Sequence, residues 1–223
     1  DDRAEPFLFD VFGYKLKQKE GRGKKLRKKS HILLGRYLAD QMSEVYSLQQ
    51  HRKAFCLGNI MPDLKPSFLT TRHEFFGTFN QLQSNMRELV ERSPEEDNAR
   101  VYWRRFGEVM HYMADYFTFP HNRTYKGSLA EHNSYEAELK NRLKECILSG
   151  RADSQLEEAK HFDSFEELVE YIRERHTCYL ESPRCIADDI RFILRVCYQV
   201  VQGIFQLCMR RQFHMEEQPL MVG

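Results

Sequence analysis

Apolar residues recur three and four positions apart along most of this chain, and no run of alternating β-branched residues is long enough for a sheet. The pattern predicts an all-α protein. Ile32, Leu33, Tyr37, Leu38 and Met42 follow Ser30 at helical spacing, so Ser30 reads as an N-cap and a first helix is expected over about 31–50. Gly58, Asn59, Pro62, Pro66 and Ser67 interrupt any helix, which makes 57–72 a structured loop and places Asp63 on it. Further helices are expected over 73–91, ending before Ser93-Pro94, over 99–117, ending before Pro120, and then over 129–149, 164–180 and 183–213. In the last, Ile186, Ile190, Ile193, Val196, Val200, Ile204 and Leu207 form a packing stripe. Its uncharged stretch from Val196 to Met209 is cut by Gln199, Gln202 and Gln206, short of the ~20 apolar residues of a membrane span.

A length of 223 residues suits one domain, expected over 30–223 as a helical bundle behind a lead-in over 1–29. Overall charge is nearly balanced, with 34 basic and 33 acidic residues, but nine Lys or Arg fall between 15 and 29 against Glu20 alone. A flexible solvated arm is the plain reading of 15–29. The same charge would attract an anionic membrane surface or nucleic acid. The six cysteines (Cys56, Cys146, Cys178, Cys185, Cys197 and Cys208) contain no C-x-x-C pair, and no signal-like run opens the chain. Reduced thiols and a cytoplasmic setting, peripheral to a membrane, are expected; a leader removed from a secreted precursor would reverse that placement. Cys178 and Cys185 could approach each other across a turn, although the sequence gives no distance.

Chemistry concentrates in the first two thirds of the chain. His111 and Asp115 are four apart on one predicted helix, and His132 and Glu136 repeat the spacing on another. Each pair projects an imidazole and a carboxylate to one point, a donor combination that suits zinc. A single pair is commonly only an ion pair on a helix surface. Here His31, Asp63, His73 and His121 stand at helix ends or on the interrupted segment, where they can complete a metal centre built between facing helices. Two pairs predict two metals. His51, His161, His176 and His214 lack such partners and are expected at the surface or as satisfied core groups; Asp188 and Asp189 are expected to be solvated.

The ordered segments S-H-I-L-L-G at 30–35, L-G-N-I-M-P-D-L at 57–64, His73, G-E-V-M-H-Y-M-A-D-Y-F at 107–117, P-H-N at 120–122 and E-H-N-S-Y-E at 131–136 resemble the bacterial zinc-dependent phospholipases C. The secreted zinc nucleases specific for single strands are more distant cousins. The resemblance implies an all-α bundle in which Asp63, His73, His111 and Asp115 hold one zinc and His121, His132 and Glu136 a second. In the family a third ion is held by a histidine near the N-terminus, by the bridging aspartate and by an N-terminal tryptophan. His31 and Asp115 match two of these, but the only tryptophan, Trp103, lies inside a predicted helix. Two zinc ions are therefore implied, and a third is short of donors.

The implied reaction is hydrolysis of a phospholipid to diacylglycerol and a phosphorylated head group, with Asp63 matching the residue proposed as general base. Lys65 and Arg72 are candidates for phosphate contact, although solvated loop charges are the plainer reading. Leu64 stands where choline-selective relatives carry tyrosine, so choline preference is not implied. Phe68, Phe75 and Phe76 read more readily as core than as an acyl entrance. At 223 residues the extra β-sandwich of the toxic members is not expected. The alternatives are a zinc nuclease or nucleotidase acting on nucleic acid, and a metal-stabilised scaffold without turnover. An HD-type phosphohydrolase is disfavoured because no His-Asp dipeptide occurs.

Overall fold

The computed structural model describes residues 22–64, 73–96, 98–183 and 185–216; among these the chain is helical, without a strand. The helices are α1 (Arg22–Gln41), α2 (Tyr46–Gln50), α3 (Arg52–Gly58), α4 (Met61–Leu64), α5 (Phe75–Glu91), α6 (Ala99–Tyr116), α7 (Leu129–Leu148), α8 (Phe165–Glu181) and α9 (Ile186–Glu216). The all-α expectation and the five later helices stand within a few residues of their expected bounds.

Three expectations about the first third are corrected. Ser30 lies inside α1, not at its N-cap, because the helix already runs from Arg22. The expected helix over 31–50 is broken at 42–45, where Met42 and Val45 close turns before α2 begins. Asp63 is not on a loop but in the four-residue α4, where Pro62 is tolerated because the first helical turn needs no amide donor. Residues 15–21, Lys65, Phe68 and Arg72 lie outside the described residues.

α6 is the axis of the bundle, buried almost all round: Trp103, Phe106, Met110 and Met113 have no solvent exposure. α1 and α3 pack on one side of it and α5 and α9 on another; α7 lies across α1 and α9, and α8 covers α5 and α9. Trp103 stacks parallel to Phe106 and its Nε1 donates to Ser47 Oγ at 3.0 Å, a core role that removes it as a metal donor. Between α3 and α6 the contact is made by glycines. A Cβ on Gly58 would stand 2.0 Å from the Arg104 carbonyl oxygen, and one on Gly107 would stand 2.1 Å from that of Phe55. Only hydrogen side chains allow the two backbones this close, and the approach delivers Asn59 and Asp63 to the middle of α6.

Local chemistry fixes the helix ends. Asn98 caps α6 by accepting from the Val101 amide, and Ser128 with Glu131 forms a reciprocal capping box that starts α7 one turn before His132. Gly150, at φ 74°, takes the left-handed turn after α7. α9 is long and apolar enough to cross a membrane, yet 61% of its apolar stretch is buried inside the bundle. Ile190, Ile193, Val196, Val200, Ile204 and Leu207 face the core, as the packing stripe predicts, while Ile186 is only partly covered.

Candidate metal centre

α6 presents His111 and Asp115 one turn apart, and the remaining candidates converge on them. His111 Nε2 is 3.2 Å from Asp115 Oδ2, 3.1 Å from His73 Nδ1 and 3.8 Å from Asp63 Oδ1. His73, just before α5, also places its Nδ1 3.0 Å from Asp115 Oδ2. His31 arrives from α1, with Nε2 3.2 Å from Asp115 Oδ1 and its ring 4.0 Å from that of His111. These five residues are buried, and their donor atoms form two overlapping groups: His31, Asp63 and His111, and His73, His111 and Asp115.

A third group joins His121, His132 and Glu136. His121 ends a 3-10 turn over Phe119–His121, and His132 and Glu136 stand on the first turns of α7. Glu136 Oε1 lies 2.7 Å from His132 Nε2 and 3.3 Å from His121 Nε2. His121 Nδ1 is 3.7 Å from Asp115 Oδ2, so Asp115 touches the edge of both clusters. All eight sequence candidates are thereby brought together. A cavity of about 30 Å³, lined in part by His31, Asp115, His121 and Glu136, runs between the clusters and has room for a water or an ion.

The donors fit a cation on three counts. Oxygen and nitrogen donors bound tetrahedrally at 2.0–2.2 Å stand roughly 3.3–3.6 Å apart, and the separations within the buried cluster bracket that spacing. The His111 Nδ1 donates to the Asn59 carbonyl at 2.9 Å, which fixes the ring so that Nε2 is aimed at the carboxylates, the usual orientation device of a metal-binding imidazole. Asp63 Oδ2 is buried with no hydrogen-bond partner, and an orphaned carboxylate oxygen is costly unless positive charge meets it.

Electrostatics point the same way. Burial alone would lower the pKa of His111, but Asp115, Asp63 and the Asn59 carbonyl lift it to about 9. Burial also opposes ionisation of Asp115, yet His121, His111 and His31 hold its carboxyl well below the ordinary range. His31 is driven down by burial and by the neighbouring His111. The cluster demands positive charge while crowding its imidazoles, a conflict that a bound cation resolves.

Several supporting residues carry no readable signal in the sequence. Asn59 is fully buried, and its Nδ2 donates back to the Phe55 carbonyl. Asn122 fastens the 3-10 turn by donating to the Thr118 carbonyl at 3.0 Å. Asp188 and Asp189 are buried, contrary to their expected solvation: Asp188 pairs with Arg191 and accepts from Cys185 Sγ, and Asp189 accepts from Tyr179, Tyr135 and the Phe119 amide. Two acids in the first turn of a helix ordinarily face water near the positive end of its dipole, which is why the sequence misleads here. Phe75 is core as expected, stacked on the buried His176 at 3.9 Å, whereas Phe76 is exposed with the Arg123 guanidinium 5.0 Å over its ring. His161 and His214 are exposed and His51 is half-buried. Cys178 and Cys185 are exposed free thiols.

No curated protein and no solved structure matches the chain. The sequence model of a family described as zinc dependent phospholipase C matches residues 30–186, a stretch that contains every candidate donor and ends at the start of α9. With that match over most of its length, the chain belongs to the zinc dependent phospholipase C family.

Proposed function

We propose that this protein is a multinuclear zinc phosphodiesterase that hydrolyses glycerophospholipids, releasing diacylglycerol and the phosphorylated head group. The observation that carries the reading is Asp115: its Oδ1 faces His31, and its Oδ2 faces His73, His111 and, farther off, His121. One carboxylate at the junction of two donor groups is the arrangement expected for neighbouring ions that share a bridge. In this proposal Asp63, His73, His111 and Asp115 hold one zinc and His121, His132 and Glu136 the second. His31 with Asp115 would serve a third ion; Trp103 is held in the core and supplies no donor to it, so two ions are the proposed complement.

Zinc bound in these groups supplies positive charge for a phosphate diester and an acidified water. The chain's own residues do the rest. In this proposal Asp63, which faces His111 through Oδ1, also takes a proton from attacking water, as the resemblance implies. Asn59 holds the orientation of His111, and Arg123, tied to Glu74 at 3.2 Å beside His73, holds a positive charge next to the His121 turn. Six free thiols support a cytoplasmic placement, and the basic charge of 15–29 would attract an anionic membrane surface.

The test is hydrolysis of phospholipid vesicles by zinc-loaded protein, with diacylglycerol measured directly and single-stranded DNA offered in parallel. Diacylglycerol release that disappears in Asp63→Asn supports the proposal. Shortening of the DNA without lipid turnover would replace it with the nuclease reading, and zinc binding without either activity with the scaffold reading.

A further inference from the structure

Asp189 stands in the first turn of α9, beyond the residues matched to the family, with no solvent exposure. Its Oδ2 accepts from the Phe119 amide at 2.9 Å and from the Tyr135 hydroxyl at 2.8 Å, and its Oδ1 accepts from the Tyr179 hydroxyl at 2.6 Å. Two of these three donors belong to the elements that carry the second donor group. Phe119 opens the 3-10 turn that ends on His121, and Tyr135 immediately precedes Glu136 on α7.

We infer that Asp189 is the positioning residue of the second metal group, setting the separation of His121 from Glu136 without touching either; the inference rests on the zinc reading above. The need for such a clamp follows from how the group is built. A three-residue 3-10 turn has little stability of its own. Its internal bonds, His121 N to the Thr118 carbonyl at 2.9 Å and Asn122 Nδ2 to the same carbonyl, hold the turn's shape but not its distance from α7. Between the turn and α7 the chain at 122–128 forms no helix. The Phe119 and Tyr135 rings meet edge to face at 6.1 Å, and the shared oxygen of Asp189 fixes how they meet. Because that oxygen belongs to α9, the clamp anchors both elements to the core.

The test is zinc titration of the full chain against a chelating indicator, with cobalt absorption bands reporting the two groups separately. Wild type is compared with Asp189→Ala, Asp189→Asn, Tyr135→Phe and Tyr179→Phe. Asp189→Ala and Tyr135→Phe are expected to weaken the second ion by about 10–100-fold, the range for partners outside the coordination sphere, while the first ion keeps its affinity and its band. Asp189→Asn retains a carbonyl for Phe119 and Tyr135 and is expected to recover most of the loss. Tyr179→Phe, which cuts the bond facing away from the metal elements, is expected to lower the melting temperature and leave zinc affinity unchanged. An unchanged second ion in Tyr135→Phe overturns the inference even where Asp189→Ala fails to fold, and so does an equal loss from both groups. A wild-type protein that binds no zinc overturns the zinc reading and this inference with it.

Discussion

The donor group around His73 and His111 and the group around His121, His132 and Glu136 share Asp115, yet they are built on opposite plans. The first sits in the interior, where a glycine-to-glycine crossing of α3 and α6 brings Asn59 and Asp63 onto α6 and leaves His111 without exposure. Its geometry is set by backbone packing. The second lies nearer the surface, with His121 and His132 partly exposed, and joins a 3-10 turn to a helix through hydrogen bonds to Asp189. Its geometry is set by a polar clamp. A site made by packing is rigid and costly to disturb, whereas one made by a clamp can be loosened by a single hydroxyl.

The largest expected effect removes what the two groups share. Asp115→Ala should abolish both ions as a pair and lower hydrolysis by more than about 100-fold, beyond the range seen for groups outside the coordination sphere; zinc analysis and diacylglycerol release on the same sample check it. Next, Gly107→Ala should break the comparison on one side only. Its new Cβ meets a backbone carbonyl, not a movable side chain, so the cost should reach or exceed the roughly 1–3 kcal/mol of ordinary overpacking, read from urea denaturation. Zinc at the first group should weaken with it.

Chelator competition sharpens the contrast without mutation. Release of zinc should be biphasic, with the partly exposed second group emptying first and the fast phase missing in His132→Ala. The smallest effect at neutral pH concerns His176, buried beside Phe75, whose pKa burial lowers to about 4. The native state then binds fewer protons than the unfolded chain between about pH 6.5 and 4, so stability is unaffected above that window and falls as pH drops through it. His176→Phe should flatten this acid limb in denaturation curves measured across the range.

Residue spacing makes the helical donors of both groups more legible than their support. His111 with Asp115 and His132 with Glu136 are i, i+4 pairs, and a helix carries that geometry directly into space. His31, Asp63 and His73 come to the same point only through the α3–α6 crossing, and ordered motifs rather than periodicity marked them. Pro62 reads as a breaker and so predicts a loop for Asp63, although the first turn of a short helix accepts it. Asn59 and Asp189 were not legible at all. A buried asparagine carbonyl and a buried carboxylate at a helix start look, in a linear chain, like turn and surface residues; only the partners 52 and 70 residues away show otherwise.

The central claim is that Asp115 joins two metal groups of different construction. Anomalous diffraction at the zinc absorption edge, from crystals of the zinc-loaded full chain, tests it most directly. The account predicts two strong peaks flanking the Asp115 carboxylate, one among Asp63, His73 and His111 and one among His121, His132 and Glu136. A single peak away from Asp115, or none from protein saturated with zinc, would contradict it.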